Sequence, residues 1–185
     1  MSQGTTTIRV ESWLRSVADP HSAPGQTARA ELIEATQTRL QAICRKMFFQ
    51  SFKQTGVIDC DDVYQEAALK LWHTLLDVKP TTAREYFGLA TKKIREVMLD
   101  LCRKYVRDLP PLSEGGTSHS PVTAAMWNEF HEQAGKLDDD LRETFDLLCY
   151  HDLTQAEAAE ILGVDESTVK RRWRKAREKL SDYVL

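Results

Sequence analysis

Apolar residues recur at three- and four-residue spacings along most of the chain and nowhere alternate with polar ones over a useful length, so the pattern predicts helices and no sheet. Val10, Trp13, Leu14 and Val17 give one apolar side to a short helix over Ile8–Ala18, preceded by a polar, frayed segment over residues 1–7. A break from Asp19-Pro20 through Gly25 follows, and Leu32, Ala35, Leu40, Ile43, Met47 and Phe48 then mark the buried set of a helix from Thr27 to about Phe52. In DDVYQEAALKLWHTLL, Val63, Ala67 and Leu71, with Ala68, Trp72 and Leu75 one column over, leave Asp62, Gln65, Glu66 and Leu69 on the other side. After the Val78-Lys79-Pro80-Thr81 loop, Thr82 and Glu85 form a capping box, and Phe87, Ala90, Ile94, Val97, Leu101 and Tyr105 run along a long helix. Helix resumes over Ala124–Ala134, and Leu137, Leu141, Phe145 and Leu148 line the next one.

The most informative stretch is Thr154–Leu180, TQAEAAEILGVDESTVKRRWRKAREKL. Thr154 with Glu157 is a second capping box, Gly163 supplies a left-handed helix end, and Asp165 caps the helix that follows. So short a turn forces a steep crossing, where Ala158-Ala159 keep the facing surface small and Leu162, Val164 and Val169 fill the space beside it. This predicts a helix-turn-helix. Along its second helix Val169, Trp173, Ala176 and Leu180 form the inward stripe. The remaining faces hold seven basic residues against Glu166 and Glu178, a net of +5 in fifteen residues. The basic residues begin in the first turn, against the preference of the helix dipole, and sit where such a motif meets a major groove. DNA contact is the expected role.

Charge changes the picture in a second way. The net charge of −3 over 185 residues looks wrong for a DNA binder, but Asp138–Glu160 carries eight acidic residues and one basic, immediately before the basic helix. Local charge is the better guide. This acidic segment is a candidate to repel DNA or to pair with the basic helix in the free protein. A milder basic surface, seven basic residues against three acidic, lies between Arg84 and Arg107. Cys44, Cys60, Cys102 and Cys149 are widely spaced and never form C-x-x-C, which points to buried small residues rather than a metal site or disulfides, and no cofactor is implied. No run is long enough to span a bilayer and the N-terminus lacks a leader pattern, so a cytoplasmic protein is expected.

Asp108–Val122, DLPPLSEGGTSHSPV, has no helical period and reads as a linker. The expected organisation is a helical domain over 8–108, a linker over 109–122 and a helix-turn-helix domain over 123–185. Extended, such a linker spans roughly 50 Å, enough to set two DNA-contacting modules apart on one duplex.

Two basic surfaces on separate modules suit a protein that holds two DNA elements at once, and here the sequence resembles the extracytoplasmic-function class of bacterial sigma factors. Asp62-Val63-x-Gln65-Glu66 followed by Leu69-Lys70-Leu71-Trp72 is similar to that family's D-x-x-Q-E-x-x-x-x-x-W helix. Asp100-Leu101-Cys102-Arg103 is similar to its D-x-x-R pattern, and Thr168-Val169-Lys170-Arg171-Arg172 with Ala176-Arg177-Glu178-Lys179-Leu180 to its promoter-binding helix-turn-helix. The family's common Asn four residues before the Asp is Glu96 here, and its Phe-Arg-Gly-like loop is replaced by Val78–Thr82.

The resemblance implies a non-enzymatic protein that binds core RNA polymerase, through the β′ clamp helices and the β subunit, and promoter DNA, with an anti-sigma factor as a further partner. It places Asp62, Gln65, Glu66 and Leu69 on the polymerase. Glu166, Ser167, Lys170, Arg171 and Arg174 would face bases of the minus-thirty-five element, with Thr168 in the same first turn; Arg172, Lys175 and Arg177 would hold phosphates. In the first domain Lys79, Thr81 and Thr82 would line a pocket for a flipped minus-ten base, with Lys92, Arg95 and Arg103 on the backbone. Tyr86 and Phe87 are candidates for base stacking and equally for core. The competing reading is a helix-turn-helix regulator with a helical sensing or dimerisation domain; no phosphate loop, nucleophile motif or ligand cluster suggests an enzyme.

Overall fold

The computed structural model describes residues 3–17, 22–52, 60–108 and 121–183, all helical apart from short connections, with no strand among them. Four helices form the N-terminal half: α1 (Gln3–Ser16), α2 (Ala23–Phe52), α3 (Cys60–Asp77) and α4 (Ala83–Asp108). The C-terminal half holds α5 (Pro121–Lys136), α6 (Asp139–Phe145), a π-helical turn (Asp146–Tyr150), α7 (Gln155–Leu162), α8 (Glu166–Leu180) and a closing 3-10 turn (Ser181–Tyr183). The all-helical architecture is the one expected.

Several boundaries differ for identifiable reasons. Helix α1 begins at Gln3, inside the segment expected to fray. Helix α2 begins at Ala23, so Pro24 and Gly25 lie within it instead of breaking the chain. Ser22 caps it, its Oγ accepting the Gly25 N–H at 3.1 Å, and a proline in the first turn removes an N–H that would have had no helical partner. Ala35 is exposed because the inward slot belongs to Thr36, whose hydroxyl donates to the Leu32 carbonyl at 2.8 Å and meets the Tyr86 hydroxyl at 2.7 Å. The burial of Phe48 and Tyr105 and the segment 109–120 lie outside the described residues, and α5 already includes Pro121 and Val122 from the expected linker.

One hydrophobic cluster runs through both halves. Leu40, Ile43, Met47, Tyr86, Phe87, Ile94 and Met98 share it with Phe130, Ala134, Phe145, Tyr150 and Leu180. A smaller cluster of Leu147, Leu153, Ala158, Ala159, Leu162 and Val169 lies under the helix-turn-helix. Tyr86 and Phe87 are wholly buried, so their core role is the one realised here.

The π turn was not foreseen. It widens the helix by one residue after Phe145, and the inward positions shift from the expected Leu148 to Asp146, Leu147 and Tyr150.

Candidate nucleic-acid interface

Local chemistry fixes the helix-turn-helix. Thr154 caps α7 through a complete capping box: its Oγ1 accepts the Glu157 N–H at 3.2 Å, and Glu157 accepts the Thr154 N–H at 2.8 Å. Such a cap stabilises by about 1 kcal/mol. Gly163 ends the helix at φ +65°, where a Cβ would be strained although space is open around it. Asp165 then caps α8, accepting the Thr168 N–H at 2.9 Å. The Ser167 hydroxyl, then the Thr168 N–H and hydroxyl, hold the Asp165 carboxyl well below its ordinary range. Ala158, Ala159, Leu162 and Val169 meet at the crossing as the spacing required.

The inward stripe of α8 settles its rotation. Val169, Ala176 and Leu180 are buried and Trp173 stacks on Phe145 at 5.8 Å between ring centres. Helical spacing then puts Ser167, Arg171, Arg174 and Lys175 on the side farthest from the core, and all four are exposed. One flank carries Glu166, Lys170 and Arg177, with Lys170 paired to Glu166 at 3.1 Å. The other flank, with Thr168 and Arg172, leans on α6: Arg172 pairs with Asp140, and Lys179 pairs with Asp138 at 2.9 Å. The acidic start of α6 therefore does pair with the basic helix, along this flank only. Arg171, Lys175 and Arg177 form no ion pair among the described residues, while Arg174 reaches Glu178 at 4.0 Å.

The proposed polymerase-facing residues also share a surface. Val63, Ala67, Leu71 and Leu75 turn α3 inward, which leaves Asp62, Gln65 and Glu66 exposed together with Leu69, at 61% the most exposed of the large apolar side chains described. Lys70 ties this helix to α4, 3.2 Å from Glu66 and 3.4 Å from Asp100.

On the first half the basic residues meet different fates. Lys79, Thr81 and Thr82 are exposed at the entry to α4. The threonines serve the cap: Thr82 Oγ1 accepts the Glu85 N–H at 3.2 Å, and Glu85 takes the Thr81 N–H at 2.6 Å and its hydroxyl at 3.0 Å. Lys92 is exposed and lines an open groove of about 660 Å³ between α4 and α6. Arg103, about half exposed, lies 3.6 Å from Asp100 and 3.9 Å from Glu132 of α5.

Arg95, expected on the DNA backbone, is instead buried in an ion pair with Asp146 of the π turn. It shares a column with Thr91 and Met98 beside the apolar stripe, and that helical spacing was the overlooked signal. Gly135 of α5 lies beside it, where a Cβ would meet the Arg95 side chain at 3.4 Å, an ordinary van der Waals contact. Burial disfavours both charges of the pair. For Arg95 the attraction of Asp146 and Tyr150 outweighs burial and raises its pKa; for Asp146 burial prevails and lifts the carboxyl above its ordinary range.

Further residues that sequence reasoning did not single out join the same seam. His151 accepts from Arg39 Nε at 3.2 Å and meets Thr91 at 2.8 Å, and burial, then Arg39, pushes its pKa down to about 3. His131, 2.8 Å from the Tyr150 hydroxyl, is pushed down to about 3 by burial and then by Arg95. Lys46 pairs with Asp152, a residue held at φ +51°, and Arg84 pairs with Glu143.

Among the described residues no group of His, Cys, Asp or Glu could hold a metal ion, and no helix is long and apolar enough to cross a membrane. Burial pushes the Cys44 thiol up to about 12 and the Cys149 thiol up to about 11, so both stay protonated and unreactive.

An all-helical body ends in a helix-turn-helix whose last long helix turns a row of cations outward, the arrangement by which such a motif meets a major groove. Residues 127–180 match the family model for sigma-70, region 4. The matched stretch holds α6, the π turn and the whole helix-turn-helix. No curated protein matches the chain. Among solved structures it is similar to a chain of the "Structure of CnrH in complex with the cytosolic domain of CnrY", at 24% identity and a TM-score of 0.43 over 94% of this chain and 96% of that chain.

Proposed function

We propose that the chain directs core RNA polymerase to promoters as a sigma factor of the extracytoplasmic-function class, with the helices of residues 8–108 and of 123–185 as its two working parts. The observation that carries this reading is the outward row of Ser167, Arg171, Arg174 and Lys175 on the helix of the matched module. Ser167, Lys170, Arg171 and Arg174, at or beside that row, read base edges in the major groove of the minus-thirty-five element, and Glu166 joins them from the first turn. Lys175 and Arg177 hold phosphates, with Arg172 doing so beside Asp140, while Thr168 acts through the cap. Asp62, Gln65, Glu66 and the exposed Leu69 dock on the β′ clamp helices, and the region 4 module adds contacts to the β subunit. Lys79, Thr81, Thr82, Lys92 and Arg103 serve the minus-ten element, and an anti-sigma factor belongs to the same set of partners. Such a protein needs no catalytic group, because contacts to the open strand offset the few kcal/mol of unstacking.

Transcription in vitro with core enzyme, followed by mapping of start sites, tests this. Initiation at defined positions is expected for the native chain, and Asp62→Lys/Glu66→Lys is expected to abolish it by loss of core binding. A chain that binds duplex DNA alone and never makes core enzyme initiate would instead be an ordinary regulator.

A further inference from the structure

The three aspartates that open α6 are used in three different ways. Asp139 stays on its own helix, 2.7 Å from Arg142. Asp138 stands at the N-cap position, where an aspartate ordinarily accepts a backbone N–H of the first turn, yet its side chain makes no such bond. It reaches instead to Lys179 of α8 at 2.9 Å, and that hydrogen bond holds its carboxyl below the ordinary range. Asp140 takes Arg172 of α8 at 2.5 Å. A helix start that gives up its own cap for a partner forty-one residues away departs from the local rule, and such departures mark positions where another requirement dominates.

That requirement is not stability. Both carboxylates are well exposed, and exposed ion pairs contribute little to a fold. What the pairs add is direction. Arg172 and Lys179 are seven residues apart, so they lie in one column of α8, separated by two turns or roughly 10 Å. The stripe of Val169, Ala176 and Leu180 and the Trp173–Phe145 stack hold α8 against its module, but apolar contact is non-directional and leaves a helix free to turn a little about its axis. Two hydrogen-bonded pairs along one flank remove that freedom. A turn of roughly 20° would carry a side-chain tip about 6 Å from the axis through about 2 Å, more than a bidentate contact to a base edge tolerates.

We propose that Asp138 and Asp140 are positioning residues for DNA recognition: through Lys179 and Arg172 they fix the rotation of α8, so that Ser167, Arg171, Arg174 and Lys175 meet the duplex in one register. Arg172 serves both sides. Its pair with Asp140 uses one amino group and leaves the side chain only 18% exposed, while the other N–H donors of the guanidinium remain for a phosphate. The inference rests on the reading of α8 as the helix that contacts DNA, and not on the presence of polymerase.

The test uses the full chain, a DNA duplex enriched by that chain from a randomised pool, and a shuffled duplex of the same composition, with fluorescence anisotropy as the readout. Removing acid beside bound DNA strengthens binding electrostatically, so Asp138→Asn/Asp140→Asn is expected to raise affinity for the shuffled duplex about threefold. The same variant is expected to bind the enriched duplex about threefold more weakly, so discrimination falls about tenfold against the direction of the charge effect. Asp139→Asn/Glu160→Gln removes the same charge from groups that form no ion pair with α8 among the described residues, and is expected to raise both affinities while keeping their ratio within about twofold. Melting midpoints of all variants are expected within about 4 °C of the native chain. Unchanged discrimination in Asp138→Asn/Asp140→Asn, an equal loss in the control, a native chain that enriches no sequence, or a melt lowered well beyond that limit would each overturn the proposal. Core-dependent initiation by the native chain is scored separately: its failure would sink the sigma-factor reading and leave the positioning result standing.

Discussion

Helices α4 and α8 each carry seven basic residues around one apolar stripe, yet they use them differently. On α8 the cations point away from the core, and the acids that touch them sit on one flank or on the helix itself. On α4 Arg84, Arg95 and Arg103 are drawn inward or sideways to carboxylates of the other half. Composition cannot separate these cases. What decides is whether a basic residue falls beside the buried stripe, where it must find an internal partner, or opposite it, where it waits for an external one.

Replacing Arg95 with Ala strikes this contrast hardest. It leaves the buried Asp146 carboxylate without its partner and is expected to cost about 3–5 kcal/mol, lowering the thermal midpoint by roughly 10 °C. A calorimetric shift no larger than that of an exposed pair would show that the seam is wet and the contrast false. On α8 the reverse holds. Arg171→Ala/Arg174→Ala is expected to leave the melt unchanged and to cost about 1–3 kcal/mol per residue in promoter recognition, read as footprinting of the holoenzyme. A destabilised fold with intact footprints would mean that the outward row is structural.

Acid sharpens the comparison more gently. His131 and His151 titrate near 6.5 when solvated but only at about 3 in the seam, so below pH 6.5 the unfolded chain binds protons that the folded chain refuses. Their stabilisation is complete above pH 6.5 and declines as pH falls toward 3. Between pH 6.5 and 5 each costs about 2 kcal/mol, checked by denaturant melts across that range. Asp146 works in the opposite direction: its raised carboxyl favours the folded state at low pH and loses that contribution as pH rises through its folded value. Because α8 holds no histidine, DNA contact by the outward row should not follow the same pH dependence, and a parallel loss would tie the two regions together.

Much of this was legible in the residues. Capping pairs, Gly163 and the apolar spacing gave the helix-turn-helix to within a residue, because those signals act over three or four positions and involve no distant partner. The outer faces of α3 and α8 followed from the same periodicity. Harder features came from long-range pairing. Thr36 takes an inward slot because Tyr86, fifty residues away, needs a hydroxyl, and Arg95 is internal because Asp146, fifty-one residues away, faces it. The start of α2 was misread because Pro24 and Gly25 look like breakers unless Ser22 is recognised as the cap. A 3.6-residue template also passes smoothly over the π turn, whose extra residue leaves no mark in composition.

That extra residue works as a phase setter. In a regular helix the backbone after Phe145 would present Leu148 to the core; with it, Asp146 and Tyr150 face inward, and the strand of chain leading to α7 leaves on a different azimuth. Deleting one residue within Asp146–Tyr150 would preserve every motif of the helix-turn-helix while swinging it roughly a quarter-turn about the supporting axis. Such a protein would keep every side chain of the outward row and lose its alignment with the first half, so the direction in which the basic helix faces is recorded, in part, in a single surplus amino acid.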